Sequence, residues 1–436
     1  MTTTSKETIQ NKTNNRHLLR RFCVGVVSVV TNPINLLLLA IYVYAAMLVW
    51  DYRDVIFGTD DLDLFATAID ALQRFALTIC GVTGLMVILV LMGTPRGSIT
   101  TREALQKIGL ANHAGEAPVL VARYKDKGSR RLTVFEFDPC GLSLDEWEDR
   151  RSRIETALNI TVAKMEWSEG RKIIRVYAAP AASDYPSLLR WRDEYISQNS
   201  FELVLGESLA GPVTVNLAYI PHILLGGSTG SGKSVLLKLL LMQALRKGAE
   251  VYIADFKGGV DFPKVWHEKC RMCFTEKDLL YTLNQLVEVL EYRKTLFVQC
   301  GCANLDEYNR LTGLDLPRVV FACDEVAEVL DKSGRSKEDK ELLGQIESKL
   351  ATIARLGRAF GVHLILATQR PDAMVIPGQI KNNLDFRVCG RADNVLSMII
   401  LDNTSAADQI PKDARGRFIT GDGTVFQGYL FDDRQL

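Results

Sequence analysis

Apolar and polar positions divide the chain into three stretches of different pattern. Near the N-terminus, residues 22–50 and 75–92 are uncharged apolar runs. The second is about 27 Å long as a helix, enough to cross a bilayer core. In the first, Thr31-Asn32-Pro33 leaves two readings. Either Asn32 caps a helix with Pro33 at its first position, so that 33–50 is the span and 22–30 lies near the interface, or one helix kinks through Pro33. In the middle stretch, strand-like runs at 119–124 and 131–137 flank the turn Lys125-Asp126-Lys127-Gly128. An amphipathic helix pattern follows over 142–158, then strands at 161–167 and 172–178, which predicts a ββαββ module. From residue 201 strands alternate with helices, as in a largely parallel sheet flanked by helices. The strands are expected at 223–225, 251–254, 318–323, 363–367 and 386–389, with a helix over 275–293 opened by Thr275 and Asp278 as a capping pair. A hairpin at 417–420 and 424–427, turning on Gly421-Asp422-Gly423, closes the chain. The expected organisation is a tail (1–21), a two-helix hairpin (22–92), a polar connector (93–115), a small α/β module (116–200) and a larger α/β domain (201–436).

Charge refines this picture. Lys plus Arg and Asp plus Glu both number 52 in 436 residues, so no global basic surface exists for wrapping a nucleic acid. A polyanion reached through a few loops is not excluded. Around the apolar runs the balance is uneven. Lys6, Lys12, Arg16, Arg20 and Arg21 precede them, Arg96, Arg102 and Lys107 follow them, and Asp51, Asp54, Asp60, Asp61, Asp63 and Asp70 crowd the connecting loop. The positive-inside rule then puts both ends and the α/β domain in the cytoplasm, in a multi-pass plasma-membrane protein. The nine cysteines are scattered, as suits reduced cytoplasmic thiols. His267, Cys270 and Cys273, with Cys300 and Cys302 later, offer a zinc reading. Its alternative is a strand residue plus a loop pair, since Cys300 and Cys302 lack the usual ligand spacing.

The most informative chemistry begins at Pro221. An apolar strand runs into Gly226-Gly227-Ser228-Thr229-Gly230-Ser231-Gly232-Lys233-Ser234 and then at once into an apolar helix pattern. This is a phosphate-binding loop in its required strand–loop–helix setting. Gly227 through Ser234 are the expected nucleotide contacts: glycines let backbone N–H groups turn around a polyphosphate. Lys233 is expected on the β- and γ-phosphates of ATP and Ser234 on Mg²⁺. A second apolar strand ends in Asp324-Glu325, at the strand end where open α/β sheets bind ligands. Asp324 is expected to hold Mg²⁺ opposite Ser234, and Glu325 to polarise the attacking water; an ordinary solvated acidic turn is the alternative. Gln369, ending the next strand, suits a γ-phosphate sensor or water-orienting residue, or else a strand-end amide satisfied by backbone. Arg355 and Arg358, on the helix before that strand, are candidates to reach a neighbouring subunit's site, or solvated surface arginines.

Three runs together resemble the FtsK/SpoIIIE motor domain: 221–235, Asp324-Glu325-Val326-Ala327-Glu328, and 361–371. Ile380-Lys381-Asn382-Asn383, Arg387 and Ile400-Leu401-Asp402 continue the likeness. The resemblance implies a RecA-like P-loop motor preceded by the small ββαββ module and the transmembrane hairpin. It further implies a ring, usually a homo-hexamer, that threads DNA using ATP and Mg²⁺. Carried over to these positions, Lys233, Ser234, Asp324, Glu325 and Gln369 form the hydrolytic set. Arg358 is the preferred trans-acting arginine, with Lys381 as second candidate, and residues 331–341 stand where a pore loop would. Chromosome-pumping members typically have four spans, a long linker and a winged-helix DNA reader. Two spans and a short connector make this chain more similar to the FtsK-like coupling proteins of Gram-positive conjugative elements (the TcpA type), which hand DNA, with a relaxase, to a transfer channel. Alternatives are a type VII-like protein-secretion ATPase of the EssC type and a chromosome or sporulation DNA pump.

Overall fold

The computed structural model describes residues 17–53, 55, 66–126, 129, 131–181, 185–369 and 376–436. Most of the acidic loop, the basic residues before His17 and the turn residues Lys127 and Gly128 lie outside them. The chain divides into two compact units, 1–183 and 184–436.

Among the described residues of the first unit, the helices Leu18–Thr31, Pro33–Asp51 and Ala66–Met92 come before the connector. Asn32 leaves the helical region (φ −122°, ψ 112°) and its side chain accepts from the Ile34 N–H, with Pro33 at the first helical position. The capped reading therefore holds, and the stretch before it is a helix of its own. Among the described residues two helices are long and apolar enough to cross a membrane, Pro33–Asp51 and residues 68–92 of the third. The third begins well before residue 75 because Asp70 and Arg74, one turn apart, neutralise each other at 2.7 Å.

The module is an antiparallel sheet ordered β1-β2-β4-β3, built from β1 (Val119–Lys125), β2 (Thr133–Asp138), β3 (Ile160–Trp167) and β4 (Ile174–Pro180). Its expected helix is two pieces, Leu144–Glu148 and Arg151–Leu158, because Arg150 departs from helical geometry (φ −105°, ψ 11°). Ser143 and Glu146 make a reciprocal capping box at its start. The expected connector is not a mere spacer. Residues Ser98–Lys107 are helical, and Leu105 and Leu110 are fully buried in the module's core with Phe137, Trp147 and Ile154.

The second unit is built on one mixed sheet. Its strands are β5 (Leu189–Arg190), β6 (Glu202–Ser208), β7 (Gly211–Asn216), β8 (Ile223–Gly226), β9 (Glu250–Ala254), β10 (Arg271–Cys273), β11 (Val319–Cys323), β12 (Val362–Thr368), β13 (Phe386–Cys389), β14 (Arg417–Thr420) and β15 (Val425–Leu430). The order β10-β9-β11-β12-β8-β13 is parallel; β14-β15-β6-β7 continues it antiparallel, and β5 joins β15. Residues 185–200 thus belong with this sheet and not with the small module: β5 pairs β15, and Trp191 and Tyr195 pack on Tyr429. The central parallel strands β8, β11 and β12 are buried on both faces, as parallel strands covered by helices must be. Val319, Phe321 and Cys323 enter one core beneath the helices Glu276–Cys300 and Lys337–Phe360, while Val320 and Ala322 enter the other beneath Lys233–Arg246. Thr275 caps the first of these helices by accepting from the Asp278 N–H. This is a RecA-like P-loop fold.

Candidate functional site

The six parallel strands end at one edge of the sheet, and the chemistry collects there. β8 delivers the glycine loop. Gly227 has φ 153°, and a Cβ on it would meet the Ser231 hydroxyl at 2.5 Å. Gly232, the residue before the helix Lys233–Arg246, has φ 100° and is left-handed. Neither conformation admits a side chain, so the loop stays an open cradle of backbone. Its far side is pinned from the neighbouring strands: Ser228 N donates to Arg391 O at 2.7 Å, and Gly416 N to Ser231 O at 2.9 Å.

Opposite the loop, β11 presents Asp324 and Glu325, both buried. The Lys233 ammonium donates to the Asp324 carboxylate at 2.7 Å and to its main-chain carbonyl at 2.6 Å. The Ser234 hydroxyl donates to the same carboxylate oxygen at 3.1 Å. Lys257 reaches the other oxygen at 3.3 Å while bonding Asp261 at 2.6 Å. Burial pushes the Asp324 carboxyl up, but Lys233, and after it Lys257, outweigh burial and hold it below the usual carboxylate range. Lys257 is correspondingly raised: burial opposes it, and the two carboxylates prevail.

Glu325 is held at both oxygens. The Thr368 hydroxyl donates to Oε1 at 2.7 Å, and the Gln369 N–H to Oε2 at 3.0 Å. The Gln369 side chain accepts from the Thr229 hydroxyl at 2.9 Å, which ties the end of β12 to the glycine loop. Lys233, Ser234, Asp324, Glu325 and Gln369 are therefore brought together, and the acidic pair is not a solvated turn. An open backbone cradle, a buried lysine and a hydroxyl converging with a carboxylate fit a polyphosphate with its divalent cation.

The cationic candidates lie elsewhere. Arg358 is exposed near the end of the helix Lys337–Phe360, which leads into the start of β12. Six strand steps, about 20 Å, separate that edge from Thr368, next to Gln369. Arg293 fixes the turn by donating to Phe360 O and Pro317 O, each at 2.6 Å. Arg355 is exposed on the same helix. Lys381, just before β13, is taken up by Asp402 at 2.6 Å, which Arg387 also pairs. In the 331–341 segment, Lys332 pairs Glu347 at 2.6 Å and Arg335 pairs Glu276 at 3.7 Å, and the helix starts at Lys337. Among the described residues no cluster of His, Cys, Asp and Glu suits a metal ion. His267 is spent on Phe262 O at 2.9 Å, Cys270 and Cys273 are buried, and Cys300 is exposed at a helix end. That removes the zinc reading.

A model described as the FtsK/SpoIIIE family matches residues 191–321. The solved structure of the pCW3 conjugation coupling protein TcpA, in monomer form with ATPγS, is 34% identical with a TM-score of 0.58, over 78% of this chain and 96% of that one. The chain belongs to the FtsK/SpoIIIE family. Other relatives of this FtsK/SpoIIIE chain are the DNA translocase FtsK of Chlorobaculum tepidum, 34% identical over 50% of this chain and 28% of that protein, and the DNA translocase SftA of Bacillus subtilis, 31% identical over 55% and 26%. The chain thus spans only about a quarter of the length of these curated relatives.

Two site residues escaped the sequence pattern. Lys257 follows β9 and Arg391 follows β13, where its guanidinium donates to Thr229 O at 2.6 Å and Lys412 O at 2.7 Å. Both sit just past the C-terminal end of a parallel strand, so the rule that singled out Asp324 would have found them if applied to every strand.

Proposed function

We propose that this chain is a membrane-anchored, ATP-driven DNA translocase that works as the coupling protein of a conjugative transfer channel. The observation that carries the ATPase part is the convergence of Lys233, Ser234 and Asp324 beside Glu325 and Gln369 at one sheet edge. Bound MgATP supplies the phosphoanhydride bond and a divalent charge to neutralise its oxygens. Gly227 through Ser234 would hold the phosphates with backbone N–H groups, and Lys233 would supply its ammonium to their charge. Ser234 and Asp324 would hold the cation. Glu325, oriented by Thr368 and the Gln369 N–H, accepts a proton from the attacking water, and the Gln369 amide carries the state of the loop to β12. Lys257, after Lys233, helps to keep Asp324 ionised.

The transport part is supported by the relatives named DNA translocase and by the likeness to a conjugation coupling protein over nearly all of that structure. Two apolar helices and the asymmetry of basic residues support anchoring with both ends and the motor in the cytoplasm. Working as a homo-hexamer, the chain would grip DNA in a central channel, with a relaxase and channel proteins as partners. The test is ATP turnover by the full-length protein in nanodiscs with and without duplex and single-stranded DNA. DNA should stimulate turnover, and stimulation should weaken as salt rises because phosphate contacts release counterions. Turnover indifferent to either DNA at low salt rules out translocation.

A further inference from the structure

The first unit carries a cleft that the motor chemistry does not use. It measures about 620 Å³ and is lined by His17, Arg20, Asp138, Trp167, Arg171 and Lys172 among others. Two polar contacts hold its walls together: a hydrogen bond between His17 and Asp138 at 2.9 Å and an ion pair of Arg20 with Glu136 at 2.9 Å. Glu136 is 7% exposed and also accepts from Tyr124 at 3.0 Å and Arg175 at 3.1 Å. Burial alone would raise its carboxyl; those donors outweigh burial and keep it low, so the anchor stays charged. The walls are thus fixed to a carboxylate that does not let go near neutrality.

Depth locates the cleft. Arg21, next to Arg20, lies so close to Gly93 that a Cβ there would meet Arg21 O at 1.8 Å. Gly93 is the first residue after the apolar helix Ala66–Met92. Arg20 therefore sits level with the exit of that helix from the hydrocarbon, where headgroup phosphates lie. Across the cleft, the turn joining β3 to β4 brings Arg171 and Lys172, both exposed and, among the described residues, in no ion pair. Arg171 has left-handed backbone (φ 51°) after Gly170 (φ 76°), and its N–H donates to Ser168 O at 3.1 Å, so the turn fixes where its side chain starts. Trp167 adds an amphipathic ring of the sort favoured at headgroup depth. Asp138 is engaged at both oxygens, by His17 at 2.9 Å and by the Cys140 N–H at 2.9 Å, and the two cations Arg171 and Lys172 outnumber it.

We propose that this cleft binds the phosphate of an anionic phospholipid headgroup in the cytoplasmic leaflet, seated between Arg20 on one wall and Arg171 and Lys172 on the other. The proposal rests on the membrane-anchored reading, and two measurements separate them. Full-length protein in detergent is titrated with fluorescent phosphatidylglycerol and with phosphatidylcholine of the same acyl chains. Wild type should prefer phosphatidylglycerol, and the preference should fall about fivefold for each basic residue removed in Arg171→Ala and in the Arg171→Ala/Lys172→Ala pair. An unchanged preference in the double variant overturns the site. So does an equal fall in Arg150→Ala/Arg153→Ala, which removes the same charge away from the cleft, and so does displacement of the lipid by an equal concentration of inorganic phosphate. Carbonate extraction of cell membranes tests the anchor alone. Release of the protein defeats anchoring and the headgroup site together; retention without phosphatidylglycerol preference defeats only the site.

Discussion

Lys233 and Asp324 define the site at the scale of single residues, because each is buried and each is the other's counter-charge. Their side chains are 5% and 3% exposed. A buried pair is a modest source of stability while intact and an expensive thing to break. Asp324→Asn should therefore destabilise the nucleotide-free protein by about 3 kcal/mol, the low end for such a break, since the Asp324 carbonyl still receives Lys233. Urea unfolding reads this directly, and wild-type stability in the variant would refute the coupling. Glu325→Gln keeps the shape that Thr368 and Gln369 grip but cannot take a proton. It should retain ATP with turnover lowered by about 100-fold or more; near-normal turnover would remove Glu325 from the catalytic role. At the other edge of the sheet His222 is fully buried and accepts from the Leu364 N–H at 2.9 Å. Burial lowers its pKa to about 4 from 6.5. The unfolded chain then binds the proton first as pH drops, so stability present above pH 6.5 is lost towards pH 4, by about 3 kcal/mol from this residue. His363, also depressed by burial, acts in the same direction. His222→Asn should flatten the slope of unfolding free energy against pH in this window.

Among the elements, the helix Lys337–Phe360 and β12 form the unit that carries both Arg358 and Gln369, one at each end. Gly357 lets the helix end lie on the strand: a Cβ there would meet Val362 O at 2.1 Å. Gly357→Ala should force the two apart and cost about 1–3 kcal/mol, seen as a lower unfolding midpoint. This unit also shows what the sequence disclosed. Continuous apolar runs ending in Asp324 and Gln369 were legible as buried parallel strands because both faces demand apolar residues. The hairpin β6–β7 was not. Leu203, Val204 and Leu205 are all buried, while Gly206 meets β15 so closely that a Cβ would lie 2.1 Å from Gln427 O, and no clean alternation marks the strand. The helix Ser98–Lys107 was missed because Leu105 is its main core anchor, too little to make a periodicity. Lys257 and Arg391 were overlooked for a different reason: a lone cation after a strand matches no motif, and only its place at a strand's C-terminal end marks it.

At the scale of the whole molecule the decisive question is how many chains make one site. Within one chain the glycine loop, the acidic pair and Gln369 are assembled, yet Arg358 lies at the opposite sheet edge, about 20 Å away. A rigid seven-residue strand separates them, so no loop motion brings Arg358 to its own loop. If Arg358 contributes positive charge to hydrolysis, it does so on a neighbouring subunit, and the two roles can be split between proteins. Lys233→Ala should lose nucleotide binding, and Arg358→Ala should bind ATP but turn over at least about 100-fold slower, within the range arginine fingers supply. Mixed at equal concentration and allowed to co-assemble, the two inactive variants should regain activity. Interfaces that pair the intact loop of the Arg358→Ala chain with the intact arginine of the Lys233→Ala chain are then complete. Rescue should rise and fall with the mixing ratio and peak near equal amounts. Lys381→Ala serves as the comparison, because Lys381 already spends its charge on Asp402; its mixture with Lys233→Ala should show no such peak. Activity that never rises above the sum of the separate variants, with co-assembly verified by pull-down, would show that Arg358 completes no neighbour's site and that the positive charge comes from another residue.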